Sequence, residues 1–436
     1  MKRIIFYVVI VSMVFINYAC NGESNHEMED PQLTEPIELK PKQPDEEVEY
    51  KPFVPIEMSV KQGEKARADN RFSFRMFKEI STLSGSNTFF SPLSLNMALG
   101  MLYNGASGDT RDEMAEVLSM TDFTESQINE YYQKMTQALQ ESDPFTGISI
   151  ANSIWYRNSL PVKQPFIDIN QTYFDAKVQA LDFDKSDAVD IINSWCAEKT
   201  KDKIKGIIDG KISKESMMYF INALYFKGRW ESEFQKEATK QAVFTKSDNR
   251  EQKVNMMEQI RYFLYYADQH LQYVEKPFGN QAFSMAFILP AEEQNLEQLI
   301  EYLDDEVWQD IMDNKRAKEV HLKLPRFKVE CKLPLQDAVM NVGMKRIFRD
   351  MGGFANISDV ELVVSEILQK TFVAVDEKGS EAAAVTKIEM EVGSNGGNPN
   401  PPIPIPFFAN RPFLYLIKEK STGMILFIGR MDDPKE

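Results

Sequence analysis

The sequence predicts an α+β body. Apolar residues recur at helical spacing through much of the first half, strand-like runs gather in the second, and no linker separates the two. At 436 residues and 43% apolar content, the chain has material for a large core. Length alone would suggest two or three domains, because single cores stop growing at roughly 250 to 300 residues. From Gln62 to Glu436, however, there is no internal repeat and no second composition.

Taken in order, the chain opens with "MKRIIFYVVIVSMVFINYAC": two basic residues, an apolar run from Ile4 to Ile16, and the small Ala19 before Cys20. This is the layout of a secretory signal over residues 1–19, and the run is too short for a comfortable spanning helix. Cleavage before a cysteine resembles the processing of bacterial lipoproteins, which would make Cys20 a lipidated N-terminus on an outer membrane, with display at the cell surface as one arrangement. Asn17 stands where such proteins usually have Leu, and an ordinary signal peptide is the alternative. Residues 21–60 hold 11 acidic and 3 basic residues, a net of −8, with six prolines from Pro31 to Pro55. That composition reads as an extended, solvated tether over 20–61, with the folded unit at 62–436. The tether carries half of the formal charge of −16, so acidity says little about a site on the body, although it disfavours nucleic acid as a partner.

Helices are expected in "NRFSFRMFKEI" (70–80), in "SLNMALGMLYNG" (94–105) with Gly105 ending it, and in "DAVDIINSWCAEKTKDKIKGII" (187–208). The Gly-rich "GASGDT" (105–110) follows a helix and reads as a loop between helices. Strands are expected in "SMAFILP", "HLKLPRF", "TFVAVD" and "GMILFIGRM". Beyond Cys20 only Cys196 and Cys331 remain, in helix-like and strand-like surroundings that suggest buried, unpaired thiols. A single disulfide between them is the alternative in an exported protein.

Catalytic signatures are missing. The sequence has no G-x-S-x-G, H-E-x-x-H, P-loop or dinucleotide fingerprint. Of three histidines, His26 lies in the tether, leaving His270 and His321, which read as ordinary surface or strand positions. No metal-ligand cluster and no cofactor site is expected.

The stretch "SEAAAVTKIEMEV" (380–392) is unusual. Ser380, Ala382, Ala384, Thr386, Ile388, Met390 and Val392 are uncharged, while Glu381, Lys387, Glu389 and Glu391 share the other parity. As a strand it would bury one face for thirteen residues, about 43 Å at roughly 3.3 Å per residue. Gly379 permits a reversal before it, and Gly393 to Gly397 end it. The small residues come first, where they need little room to slip between strands. The same residues also make a passable helix capped by Ser380. An ordinary edge strand or helix followed by a loop is the alternative.

Over residues 70–436 the chain resembles the serpin family. "NTFFSPLSLNMALGMLYNGASGDTRDEM", "FINALYFKGRWESEF", "VNMM", "FSMAFILP", "LKLPRFKVE", "VGMKRIF", "VDEKGSEAAAVT", "RPFLYLI" and "TGMILFIGRM" follow in the family's order. The resemblance implies three β-sheets surrounded by eight to nine α-helices, with an exposed reactive-centre loop over about 377–408. It further implies an irreversible inhibitor, consumed once per target, with no enzymatic turnover. A serine protease cuts the loop, and the freed hinge inserts as a strand before the acyl-enzyme is hydrolysed. Glu377, Gly379, Ser380, Glu381, Ala382, Ala383 and Ala384 match the hinge of inhibitory members. Ser91, Ser94 and Asn222 match a polar shutter beneath the opening sheet, and Trp230 matches the tryptophan at the breach where the loop enters. Each also reads as core packing or a satisfied buried polar group.

Two departures stand out. Gln369 occupies the place of the family's shutter histidine, and it cannot titrate. Asp202 replaces a customary glycine after the sixth helix, which Asp tolerates in a left-handed turn. Counting from the hinge puts the scissile bond among Val392, Gly393 and Ser394, after Gly393; counting back from "RPF" puts it near Pro401. Small, uncharged residues at the bond suggest elastase-like targets. Trypsin-like proteases are disfavoured, since the nearest basic residue, Lys387, lies too close to the hinge. Cysteine proteases are further candidate partners, and a monomer is expected. A non-inhibitory binding protein of the same fold is the runner-up, and a lipoprotein hydrolase is the third reading.

Overall fold

The computed structural model describes residues 51–200, 202, 206–380 and 403–436, and the backbone pairing of 6–15. The first element, β1 (Phe6–Phe15), comes from the apolar run near the N-terminus. Helix α1 (Val60–Ser84) starts at a capping box in which Ser59 and Gln62 bond reciprocally, and it stops at Gly85 in the left-handed region. Strand β2 (Thr88–Phe90) leads into α2 (Pro92–Tyr103), every residue of which is buried. Helices α3 (Gly108–Val117) and α4 (Glu125–Glu141), strand β3 (Thr146–Arg157), helix α5 (Gln164–Phe174), strand β4 (Lys177–Leu181) and helix α6 (Ala188–Lys199) follow. The second half is mostly strand: β5 (Ser216–Arg229), β6 (Lys240–Thr245), β7 (Glu251–Ala267), β8 (Leu271–Pro277) and β9 (Phe283–Pro290). After α7 (Leu296–Tyr302) and α8 (Asp305–Asn314) come β10 (Arg316–Pro325), β11 (Phe327–Pro334) and α9 (Gln336–Asn341). The chain closes with β12 (Leu362–Val375), β13 (Gly379–Ser380), β14 (Ile405–Phe408), β15 (Phe413–Glu419) and β16 (Ile425–Met431).

These strands build an α+β fold with three sheets and nine α-helices among the described residues. The first sheet runs β11-β12-β1-β5-β3-β4, with β13 added at the end of β5. The other two are continuous through β7. Its 17 residues pair with β10 on one edge, and with β6 and then β8 on the other. One set is β6-β7-β10-β14, and the other continues as β8-β9-β15-β16-β2. Helix α2 lies between the first sheet and β16, which explains why it has no polar face.

Three boundaries differ from expectation. The folded body begins before Gln62: Phe53, Ile56 and Met58 pack against the core, Asn280 donates to the Lys51 carbonyl (3.2 Å), and the Ile56 amide donates to Ser421 Oγ (2.9 Å). Three apolar residues at the end of an acidic segment suffice to dock it. Helix α6 ends at Lys199 rather than continuing to 208. Asp202 takes φ 60°, the left-handed conformation expected of it, and its amide donates to the Ala197 carbonyl (2.7 Å). The amides of Ile207 and Ile208 then donate to Asn193 Oδ1, folding the chain back onto the helix. The third difference is the strand made by Phe6–Phe15, which pairs in parallel with β12 on one side and β5 on the other.

Among the described residues, no helix is long and apolar enough to cross a membrane. Cys196 and Cys331 are both free thiols. Burial pushes Cys196 up to about 12, which makes it an inert core residue.

Candidate functional site

The sequence-predicted residues fall into two groups along one seam, where β5 and β12 flank the middle of the first sheet. At its upper end, the turn from β12 into β13 folds onto itself: the Asp376 amide donates to the Gly379 carbonyl (3.1 Å), and Asp376 Oδ1 accepts from the amides of Lys378 (2.8 Å) and Gly379 (3.1 Å). Gly379 sits at φ 145°, and a Cβ there would lie 2.2 Å from the Gly228 carbonyl oxygen. Only glycine fits, because both the conformation and the approach to β5 forbid a side chain. The result is an antiparallel pairing, Gly379 with Arg229 and Ser380 with Gly228, and the buried Ser380 Oγ accepts from the Gly228 amide (3.0 Å).

Trp230 fastens this turn. Its ring stacks on Phe278 with centroids 4.3 Å apart, its Nε1 donates to the Asp376 carbonyl (2.9 Å), and its amide donates to the Lys378 carbonyl (2.9 Å). Glu377 is anchored separately. Its backbone carbonyl accepts from the Phe234 amide (2.9 Å), while Oε1 accepts from Arg326 Nε (2.9 Å) and Thr239 Oγ1 (2.6 Å). Burial pushes the Glu377 carboxyl up, but these bonds outweigh it and hold the group below the usual carboxylate range. Beneath the tryptophan lies Lys276, fully buried, donating to the Ser232 carbonyl (2.7 Å) and Gln259 Oε1 (2.6 Å), with its ammonium 5.3 Å from the Trp230 ring and 4.3 Å from Phe234. Burial lowers it to about 7.

Halfway down the seam lies the polar shutter. Gln369 on β12 bridges the backbone of Ser91, accepting from its amide (2.8 Å) and donating to its carbonyl (2.9 Å). Ser91 caps α2 by accepting from the Ser94 amide (3.2 Å) and donates to the Leu426 carbonyl (2.8 Å). On the β5 side, Ser94 Oγ donates to Asn222 Oδ1 (2.5 Å), and Asn222 Nδ2 donates to Asn152 Oδ1 (2.7 Å). All five side chains are buried. The two clusters tie α2 to β12 and to β5 separately, and both keep their bonds with β1 seated between those strands.

Sequence reasoning named Ser91, Ser94, Asn222, Gln369, Trp230, Glu377, Gly379 and Ser380, and the fold aligns them on this seam. It missed Asn152, although a lone amide in the apolar run "ISIANSIWY" is a signal that could have found it. It also missed Asp376, although an Asp three residues before a glycine is a local turn signal, and Arg326, Thr239 and Lys276, whose roles come from distant strands and leave no local signal. Glu381, Ala382, Ala383, Ala384, Val392, Gly393 and Ser394 lie outside the described residues, as does Cys20. The histidines have other occupations. His270 bonds Gln294 (2.8 Å) and Gln269 (3.1 Å), and His321 bonds Glu258 (2.5 Å), so no hydroxyl or thiol nucleophile is among these partners.

Comparison with known proteins agrees over the same span. Residues 67–434 match the family model for serpins, described as serine protease inhibitors. A serpin-like protein of Thermococcus kodakarensis is 32% identical over 86% of this chain and 88% of its own length. Serpin B3 of Homo sapiens is 32% identical over 85% of this chain and 99% of its own. Among solved structures, the thermophilic serpin Tengpin in its native state superposes with a TM-score of 0.77 at 30% identity, covering 88% of this chain and 97% of Tengpin. Human thyroxine-binding globulin, complexed with thyroxine, reaches the same TM-score at 24% identity over 86% of this chain and all of that one, a likeness of fold.

Proposed function

The chain belongs to the serpin family, and we propose that it is an irreversible suicide-substrate inhibitor of serine proteases whose loop, once cut, becomes a central strand of the first sheet. Family membership does not decide this, since the same fold is found in a globulin that binds thyroxine. The observation that carries the reading is the register at the hinge.

Continuing the pairing of Gly379 with Arg229 and Ser380 with Gly228 residue by residue brings Thr386 opposite Asn222 and Val392 opposite Ser216, the first residue of β5. The charge alternation and the 14 residues of β5 therefore end at the same point. Directly opposed residues of an antiparallel pair share a face. Ala382, Ala384, Thr386, Ile388 and Met390 would then join Phe226, Leu224, Asn222, Phe220 and Met218, on the side where Asn222 bonds Ser94 of α2. Glu381, Lys387, Glu389 and Glu391 would take the other side, where Glu366 is exposed and Lys370 half-buried on β12. Each inserted residue gains ladder bonds worth about 1 kcal/mol net apiece, against about 1 to 2 kcal/mol of ordering entropy. Burial of the uncharged face, at about 25 cal/mol per Å², then sets the sign.

This length supports a scissile bond after Gly393 over one near Pro401, because insertion beyond Val392 finds no further partner on β5. Small residues there suit proteases with elastase-like pockets; cysteine proteases, which also form acyl intermediates, are secondary candidates. The leader and Cys20 support export and a lipid anchor on an outer membrane. Incubation with pancreatic elastase, followed by mass mapping of the released C-terminal peptide, tests both the trap and the bond. Cleavage after Lys387 by trypsin, with a stable covalent product, would overturn the elastase preference.

A further inference from the structure

The seam that the loop would enter is already filled. Strand β1 lies between β5 and β12 in parallel register with both, from Tyr7 opposite Ser216 to Phe15 opposite Tyr225 on one side, and from Phe6 opposite Leu362 to Val14 opposite Thr371 on the other. We propose that Phe6–Phe15 is a cis-acting occupant of the strand slot, which keeps the chain from trapping proteases for as long as this segment is seated there. The proposal rests on the inhibitory reading above.

The two candidate strands cannot coexist. Beyond Ser380, Glu381 and Ala382 would fall opposite Lys227 and Phe226, past the end of β1, but Ala383 would need Tyr225, where Phe15 already sits. With β1 in place the loop can therefore insert to Ala382 and no further. A cut loop would be released as ordinary substrate, because the acyl-enzyme has nothing to carry it away.

The occupant suits the slot in composition and level. Residues 6–15 carry no charge, so whichever of them lie on the α2 side of the slot bring none to it. The polar Ser12 stands level with Asn222 on β5 and Gln369 on β12. The loop's own register brings Thr386, another hydroxyl residue, opposite the same Asn222. Both segments thus place a hydroxyl residue at the height of the shutter. Reach is no obstacle, since the residues between Phe15 and Lys51 could span up to about 3.3 to 3.6 Å each. Processing before Cys20 would cut the covalent link between β1 and the body, after which only the pairing with β5 and β12 holds it in the slot.

The test uses the full chain with its first residues retained, beside a Val9→Lys/Ile10→Lys variant whose consecutive charges face both sides of any strand. Amide hydrogen exchange of residues 6–15 is read together with the covalent fraction formed with elastase. The proposal expects slow exchange in the parent, a cut loop and at least about tenfold less covalent complex than in the variant. Rapid exchange of 6–15 in the parent would overturn it, as would equal complex formation by both chains. If neither chain forms complex, binding of a synthetic peptide of the 380–392 sequence decides between the two ideas. Binding to the variant alone would uphold competition for the slot while the inhibitory reading fails, and binding to both or neither would overturn the competition.

Discussion

Single residues carry the hinge and the shutter, and each makes a distinct prediction. At Gly379, a Val would meet the Gly228 carbonyl and a disallowed φ. Gly379→Val should leave the loop cleavable but abolish most covalent complex, as read on a denaturing gel. At the shutter, Gln369→Leu would leave the buried Ser91 amide without a partner and its carbonyl with the Leu95 amide alone. We expect a loss of about 1 to 3 kcal/mol in urea unfolding, the range for one orphaned buried donor. Lys276 predicts a pH effect. Its folded value of about 7 lies below the ordinary 10.5, so between those values the unfolded chain binds more protons and stability rises with pH. Below about pH 7 that gain is absent. Lys276→Met should flatten the rise, measured as urea midpoints from pH 7 to 10. The chemistry of Gln369 and the need for glycine at 379 were legible in the sequence, whereas Lys276 was not: nothing beside it in "YVEKPFG" says that it will lie under Trp230.

At the scale of elements, the decisive features are the lengths of β5 and of the alternating stretch. An inward charge should be costly and an outward change tolerated. Ile388→Glu places a carboxylate opposite Phe220 on the α2 side and should lower covalent complex at least about tenfold, since an unpaired buried charge costs several kcal/mol. Glu389→Gln, facing the other way, should leave the yield within about twofold. The ratio of complex to cleaved chain measures both. Parity was readable from residues 380 to 392 alone. Register was not, because it depends on Gly379 and Ser380 meeting β5 some 150 positions earlier in the chain, a long-range pairing that no local pattern encodes. Helix α6 shows the same limit at a boundary: periodicity continued to 208, and one left-handed residue, Asp202, ended the helix first.

The whole molecule behaves as a sheet with one central place, between β5 and β12, for which two segments compete. The α+β class, the single body and the order of motifs were legible because hydrophobic periodicity and turn residues are local. The docking of Phe53, Ile56 and Met58 was obscured by the acidic composition around them, and the seating of Phe6–Phe15 in the sheet was hidden by its likeness to a leader. The central claim is that a cut loop enters the slot faster than its acyl-enzyme is hydrolysed. The most direct measurement uses protein that begins at Lys51, without the leader but with the docked Phe53, Ile56 and Met58, incubated with pancreatic elastase and examined by denaturing gel and intact mass. The account predicts a covalent species at the combined mass of the two proteins, less the peptide that begins at Ser394. Cleaved chain alone, with elastase recovered active and no covalent species, would contradict it.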